Sequence, residues 1–196
     1  LIPTNGSFVE NIIGKTKNIL DNCPDMNLTI LVSLDGLEAT HNKIREGENG
    51  PGIAFQNAIE TIASLKELQK KYPKLMLVIN SVIHKKNVNE ILELMRLIKN
   101  NFGITLGISM YRDVGIGKNL QPSLTDWRRI RGSLPKESIK YENAGFLLKT
   151  FYNLRDEYQY YINDNYLRGN ASPIKCVAGR FIAVLDHNGD VKVCEN

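Results

Sequence analysis

Apolar residues fall into three continuous runs along this chain, at 28–34, 75–83 and 104–111, with amphipathic stretches between them. Short runs bounded by turn residues predict strands buried on both faces. In between, Phe55, Ile59, Ile62, Leu65 and Leu68 recur at three- and four-residue spacing, which predicts a helix over 52–71 with one buried face. Ser7-Phe-Val-Glu10 and Asn87-Val-Asn-Glu90 have the pattern of capping boxes, in which the first side chain accepts from a free helix N–H and the Glu reaches back. They predict helices over 7–21 and 87–101, the second stopped by Gly103. Leu1 to Thr4 reads as the end of a strand, with Asn5-Gly6 as its turn. Residues 36–51, dense in charge and glycine, read as a long loop, and loops of that length in a compact domain are usually functional.

Up to Tyr111 the order is therefore strand, helix, strand, helix, strand, helix, strand. Such alternation predicts parallel strands joined by right-handed crossovers, an α/β fold. After Arg112 the alternation stops. Thr125 is expected to cap a short helix carrying Trp127, Arg128, Arg129 and Arg131, with the arginines on its solvent face. A long helix follows over 138–167, and its stripe of Leu147, Phe151, Leu154, Tyr158 and Tyr161 is expected to pack in the core. Two short strands, 181–186 and 191–194, then flank Asn188-Gly189, the strongest short hairpin signal.

The first run carries the chemistry. Side chains alternate along a strand, so Ser33 and Asp35 point one way and Val32 and Leu34 the other. Gly36 breaks the run and Arg45 follows ten residues after Asp35. In α/β folds ligands bind at the carboxyl ends of strands, so a hydroxyl and a carboxylate at that end mark a candidate site. A turn at Asp35-Gly36 with a solvated Arg45 is the plainer alternative.

Composition adds bounds. A chain of 196 residues with 42% apolar content can bury a sizeable core. The net charge of +4 is mild and does not argue for a nucleic-acid or membrane partner. No run of about twenty apolar residues exists to span a bilayer. Three cysteines make no disulfide framework, which points to a reducing cytoplasm, and Cys23 reads as incidental. His41, His84 and His187 share no metal-ligand spacing, and the latter two read as surface residues. The start at Leu1 without Met and the stop at Asn196, both inside patterned sequence, suggest a piece of a longer protein. No phosphate loop, nucleophile elbow or Rossmann glycine fingerprint is present.

Four features resemble the radical S-adenosylmethionine (SAM) enzymes. Thr4-Asn5-Gly6 is similar to the threonine–asparagine–glycine that ends an early barrel strand. Val32-Ser-Leu-Asp-Gly36 with His41-Asn-Lys-Ile-Arg45 is similar to that family's next strand and its loop. Val78-Ile-Asn80, then Asn87, is similar to the strand after it. Cys176 to Gly189 and Cys194 resembles the opening of the SPASM or twitch extension, which holds auxiliary iron–sulfur clusters.

The resemblance implies a partial parallel (β/α) barrel over 1–122, a helical connector over 123–170 and the start of a SPASM-like β-hairpin over 171–196. It implies that Ser33 and Arg45 meet the methionyl group of SAM. Asp35 would act beside them, on the ribose or on the loop itself, and Asn80 would meet the ribose. Cys176 and Cys194 would ligate an auxiliary cluster in the intact protein. The implied activity is cleavage of SAM to a deoxyadenosyl radical for modification of a peptide or protein substrate. The chain departs from the family in lacking the Cys-x3-Cys-x2-Cys loop that holds the radical [4Fe–4S] cluster and the glycine–glycine–glutamate segment. The 196 residues alone are therefore expected to be inactive and to bind neither cofactor tightly. Association of copies through exposed sheet edges is expected. Two alternatives stay open: a degenerate barrel that docks a peptide or partner, and a metal-independent lyase or isomerase, for which no buried Lys or paired carboxylates are found.

Overall fold

The computed structural model describes residues 1–45, 52–111, 119–134, 146–170, 184–185 and 188–192. Four parallel strands form one sheet: β1 (Ile2–Thr4), β2 (Leu28–Ser33), β3 (Leu75–Ile83) and β4 (Gly107–Met110), in the spatial order β1-β2-β3-β4. They are joined by α1 (Val9–Asn22), α2 (Glu38–Ile44) with α3 (Ala54–Lys71), and α4 (Ile91–Phe102). Helices α5 (Leu124–Ser133) and α6 (Phe146–Leu167) follow, then an antiparallel hairpin of β5 (Val184–Leu185) and β6 (Val191–Lys192).

The strand order equals the sequence order. Successive right-handed crossovers that never reverse direction leave every helix on the same side of the sheet, the winding of a barrel rather than of a doubly wound sheet. The packing agrees: α1 and α2 lie on α3, α3 lies on β2 and β3, and α5 joins α4 to α6. The expectation of a partial parallel barrel with a helical connector and a C-terminal hairpin therefore holds.

Register separates the two faces. Ile30 pairs with Leu77 and Val32 with Ile79, and these side chains are buried against Ala58, Ile62, Leu65, Ile91, Leu94 and Ile98 of the helices. On the other face Leu31, Ser33, Val78, Asn80 and Val82 are only half-buried, and Met76 and Ser109 are exposed. The strands are thus not equally buried on both faces, as the apolar runs suggested. Parallel sheets are usually covered on both sides, so this second face is the open one.

Several local expectations are corrected. The two helices start later than the capping boxes place them: the N-caps are Phe8 and Glu90, and neither makes a side-chain cap bond of its own. Ser123, not Thr125, caps α5, its hydroxyl accepting from the Asp126 amide at 3.0 Å. The 36–51 loop contains α2, a seven-residue helix with only His41 buried. The 52–71 helix begins at Ala54 and the 104–111 strand is confined to Gly107–Met110. Gly103 does stop α4, at φ +66.

The stripe on α6 is not core. Leu147 is 82% exposed, Phe151 61% and Leu154 65%. The opposite side of α6 does the packing, with the Tyr160 ring edge-on to the buried Trp127 at 5.8 Å. There the α5 arginines are half-exposed but paired: Arg128 with Asp164 at 3.0 Å and Arg131 with Glu157 at 2.6 Å.

Candidate functional site

Where β2 ends, Asp35 continues the sheet with its side chain. The Leu34 amide donates to the Asn80 carbonyl at 2.9 Å, the last backbone step between β2 and β3. The next free N–H on β3 belongs to Val82, and it donates to Asp35 Oδ1 at 3.0 Å. The other carboxylate oxygen accepts from Arg45 Nη2 at 2.7 Å. Asp35 is 4% exposed, and a carboxylate that deep is stable only when its oxygens are paired in this way.

Its backbone is held as well. The Asp35 amide donates to His41 Nδ1 at 3.0 Å, so that nitrogen of the fully buried His41 carries no proton. The Asp35 carbonyl accepts from Asn87 Nδ2 at 2.6 Å. Asn87 also donates to the Val82 carbonyl at 2.8 Å and accepts from the His84 amide at 2.9 Å.

Arg45 reaches Asp35 because of α2. The helix starts after Leu37 and ends at Arg45, its C-cap, so it turns the chain back by its own length. Its N-cap, Leu37, has no side chain that can accept. Glu90 serves instead, taking the Leu37 amide at 2.9 Å and the Thr40 hydroxyl at 3.0 Å. Gly36 lets the carboxylate approach, since a Cβ there would lie 2.4 Å from Glu90 Oε1. Asn42, on the same helix, accepts from the Phe55 amide at 2.8 Å and donates to the Gly52 carbonyl at 2.9 Å, fixing α2 to the start of α3.

Ser33 and Asn80 are register partners, so both side chains leave the sheet on the open face one strand spacing apart. Asn80 Oδ1 accepts weakly from Ser109 at 3.3 Å, which extends the polar strip to β4. Thus Ser33 and Asp35 close β2, Asn80 lies beside Ser33 within β3, and Arg45 reaches Asp35 from the end of α2. Asp35 and Arg45 are in direct contact, and Ser33 and Asn80 share a face. Both Asp35 oxygens are taken by protein donors.

His84 is buried rather than on the surface, 6% exposed. Burial holds its pKa below the usual 6.5, the Lys86 charge acting the same way and Asp35 opposing. Its Nδ1 accepts from the Lys86 amide at 3.1 Å. Asn87 and Glu90 read in the sequence as a local cap. The signal that they serve the site, two polar residues closing a strand-to-helix turn, is present there but not distinctive.

Cys176, Cys194 and His187 lie outside the described residues. Cys23 is exposed and free. Among the described residues no group of three or more His, Cys, Asp or Glu side chains could hold a metal ion, and no helix is long and apolar enough to cross a membrane.

No family model matches the chain, and no curated protein matches it. Among solved structures it is similar to "Native anSMEcpe with bound AdoMet and Kp18Cys peptide", at TM-score 0.48 and 18% identity over 98% of this chain and 50% of that one. It is also similar to "Native anSMEcpe with bound AdoMet", at TM-score 0.42 and 18% identity over 87% of this chain and 38% of that one. That protein is an anaerobic sulfatase-maturating radical SAM enzyme. The chain spans half or less of the length of these structures.

Proposed function

We propose that this chain is the SAM-holding wall of a radical SAM enzyme that modifies a peptide or protein. The observation that carries the reading is the Asp35–Arg45 pair at the carboxyl end of β2, beside Ser33 and Asn80 on the open face. The donor set suits the ligand. A methionyl carboxylate calls for a guanidinium and a hydroxyl, which Arg45 and Ser33 supply. Ribose hydroxyls call for an amide such as that of Asn80. Asp35 in this reading acts on Arg45 and not on the ribose, because its oxygens are already engaged.

The [4Fe–4S] cluster would supply the electron that cleaves SAM to a deoxyadenosyl radical. This chain's residues bind and orient the ligand. Cys176 and Cys194 are the candidate auxiliary-cluster ligands, and the boundaries at 122 and 170 remain part of the proposal, as does a cytoplasmic setting. The rest of the barrel, from the same protein, would cover the open face.

Calorimetric titration of the chain, and of any longer protein containing it, with SAM tests this. Arg45→Ala, Ser33→Ala and Asn80→Ala should each weaken binding, and unchanged affinity in all three would overturn the assignment. A second reading is a non-catalytic scaffold that docks a peptide, favoured by the exposed apolar stripe of α6. Peptide binding that persists without any affinity for SAM in the longer protein would select it.

A further inference from the structure

We infer that Glu90 is a positioning residue for Arg45 and thereby sets selectivity for the carboxylate arm of the ligand; this rests on the SAM reading above. Glu90 lies on the far side of β3 in sequence, 53 residues from Leu37. Yet it is the acceptor that satisfies the start of α2, a place where the chain's own N-cap offers none. A free helix N–H buried without an acceptor is costly, and a carboxylate there also meets the positive end of the helix.

The geometry makes α2 a short lever. Glu90 fixes one end by two bonds, at 2.9 and 3.0 Å. Asn42 fixes its flank to α3. The other end is Arg45, whose guanidinium is held against Asp35 at 2.7 Å with 24% of its side chain exposed. Asp35 is held in turn by Val82 and Asn87, from the same 82–90 segment that carries Glu90. One segment thus sets both the guanidinium's anchor and the start of the helix that delivers it. A shift of about 1 Å at such a group is enough to cost much of a bidentate interaction. The ribose contact in the SAM reading is Asn80 on β3, outside α2, so it would not feel the change.

The test compares a longer protein containing these 196 residues with its Glu90→Ala and Glu90→Gln variants. Each is titrated with SAM and with 5′-methylthioadenosine, which keeps adenine and ribose but lacks the amino-acid arm. Amide hydrogen exchange over residues 37–45 is followed in parallel. Glu90→Ala should weaken SAM about tenfold, the scale of one charge-assisted hydrogen bond, and leave 5′-methylthioadenosine within about twofold. Exchange should rise over 37–45 and not in β3. Glu90→Gln keeps an acceptor for the Leu37 amide and should restore SAM binding to within about threefold of wild type. Equal loss for both compounds, or no loss for either, overturns the inference while leaving the SAM reading intact. An unsubstituted longer protein that binds neither compound overturns that reading, and this inference with it.

Discussion

Asp35 Oδ1 accepts the Val82 amide at 3.0 Å, a side-chain oxygen standing where a parallel ladder would use a backbone carbonyl. Removing it strands two half-buried donors at once, the Val82 N–H and the Arg45 guanidinium. Asp35→Ala should therefore destabilise the chain by about 3 kcal/mol, the scale found when one partner of a buried pair is deleted. Asp35→Asn keeps an acceptor for Val82 but sets an amide against Arg45, so its loss should be smaller. Urea denaturation of the three proteins checks the ranking.

Gly6 sits at φ +78, and a Cβ there would lie 2.8 Å from the Ala58 Cα, a backbone atom that cannot yield. Its carbonyl accepts from Thr61 at 2.8 Å, which presses the turn onto α3. Gly6→Ala should cost about 2–4 kcal/mol, from left-handed backbone and overpacking together. Thermal melts should show it clearly, whereas Gly14→Ala, with open space around it, should be neutral or stabilising.

His84 makes stability depend on pH. Its folded pKa lies below the unfolded value near 6.5. Above that value both states are neutral and the contribution is constant. As pH falls below it the unfolded state takes up the proton first, so stability drops through the window beneath 6.5. His84→Gln should flatten that part of the profile, measured by denaturant midpoints at successive pH values.

Trp127 is 1% exposed and Leu154 is 65% exposed, although both are large and apolar. Trp127→Ala should cost about 3–5 kcal/mol. Leu154→Lys should change stability by less than about 0.5 kcal/mol. Equal losses on denaturation would show that the Leu147–Tyr161 stripe is covered in the folded chain.

Much of the fold was legible because burial imposes a period. The continuous runs at 28–34 and 75–83 name β2 and β3 almost to the residue, and α3 follows from its five-residue stripe. Asn188-Gly189 names the hairpin, with Gly189 at φ +86. What escaped was whatever depends on distant partners. Helix α2 buries only His41, so it leaves no periodic trace. The stripe of α6 has the right spacing for a helix, but spacing cannot say which of two apolar sides meets the core. At the site, only the family resemblance sets Asp35 beside Arg45; order along the chain alone leaves Arg45 equally able to be a solvated loop residue. Asn87 and Glu90 could not be placed, because their partners at Asp35 and Leu37 are 52 and 53 residues away, and a local cap explains the same letters.

The dependence of α2 on Glu90 also constrains the order in which the chain assembles. A helix of seven residues is too short to nucleate in isolation, since the first turn fixes several dihedrals for one hydrogen bond. Its external acceptor arrives only after β3 has docked beside β2. Helix α2 therefore forms late in folding, and substitutions within it should speed unfolding while leaving the refolding rate nearly unchanged.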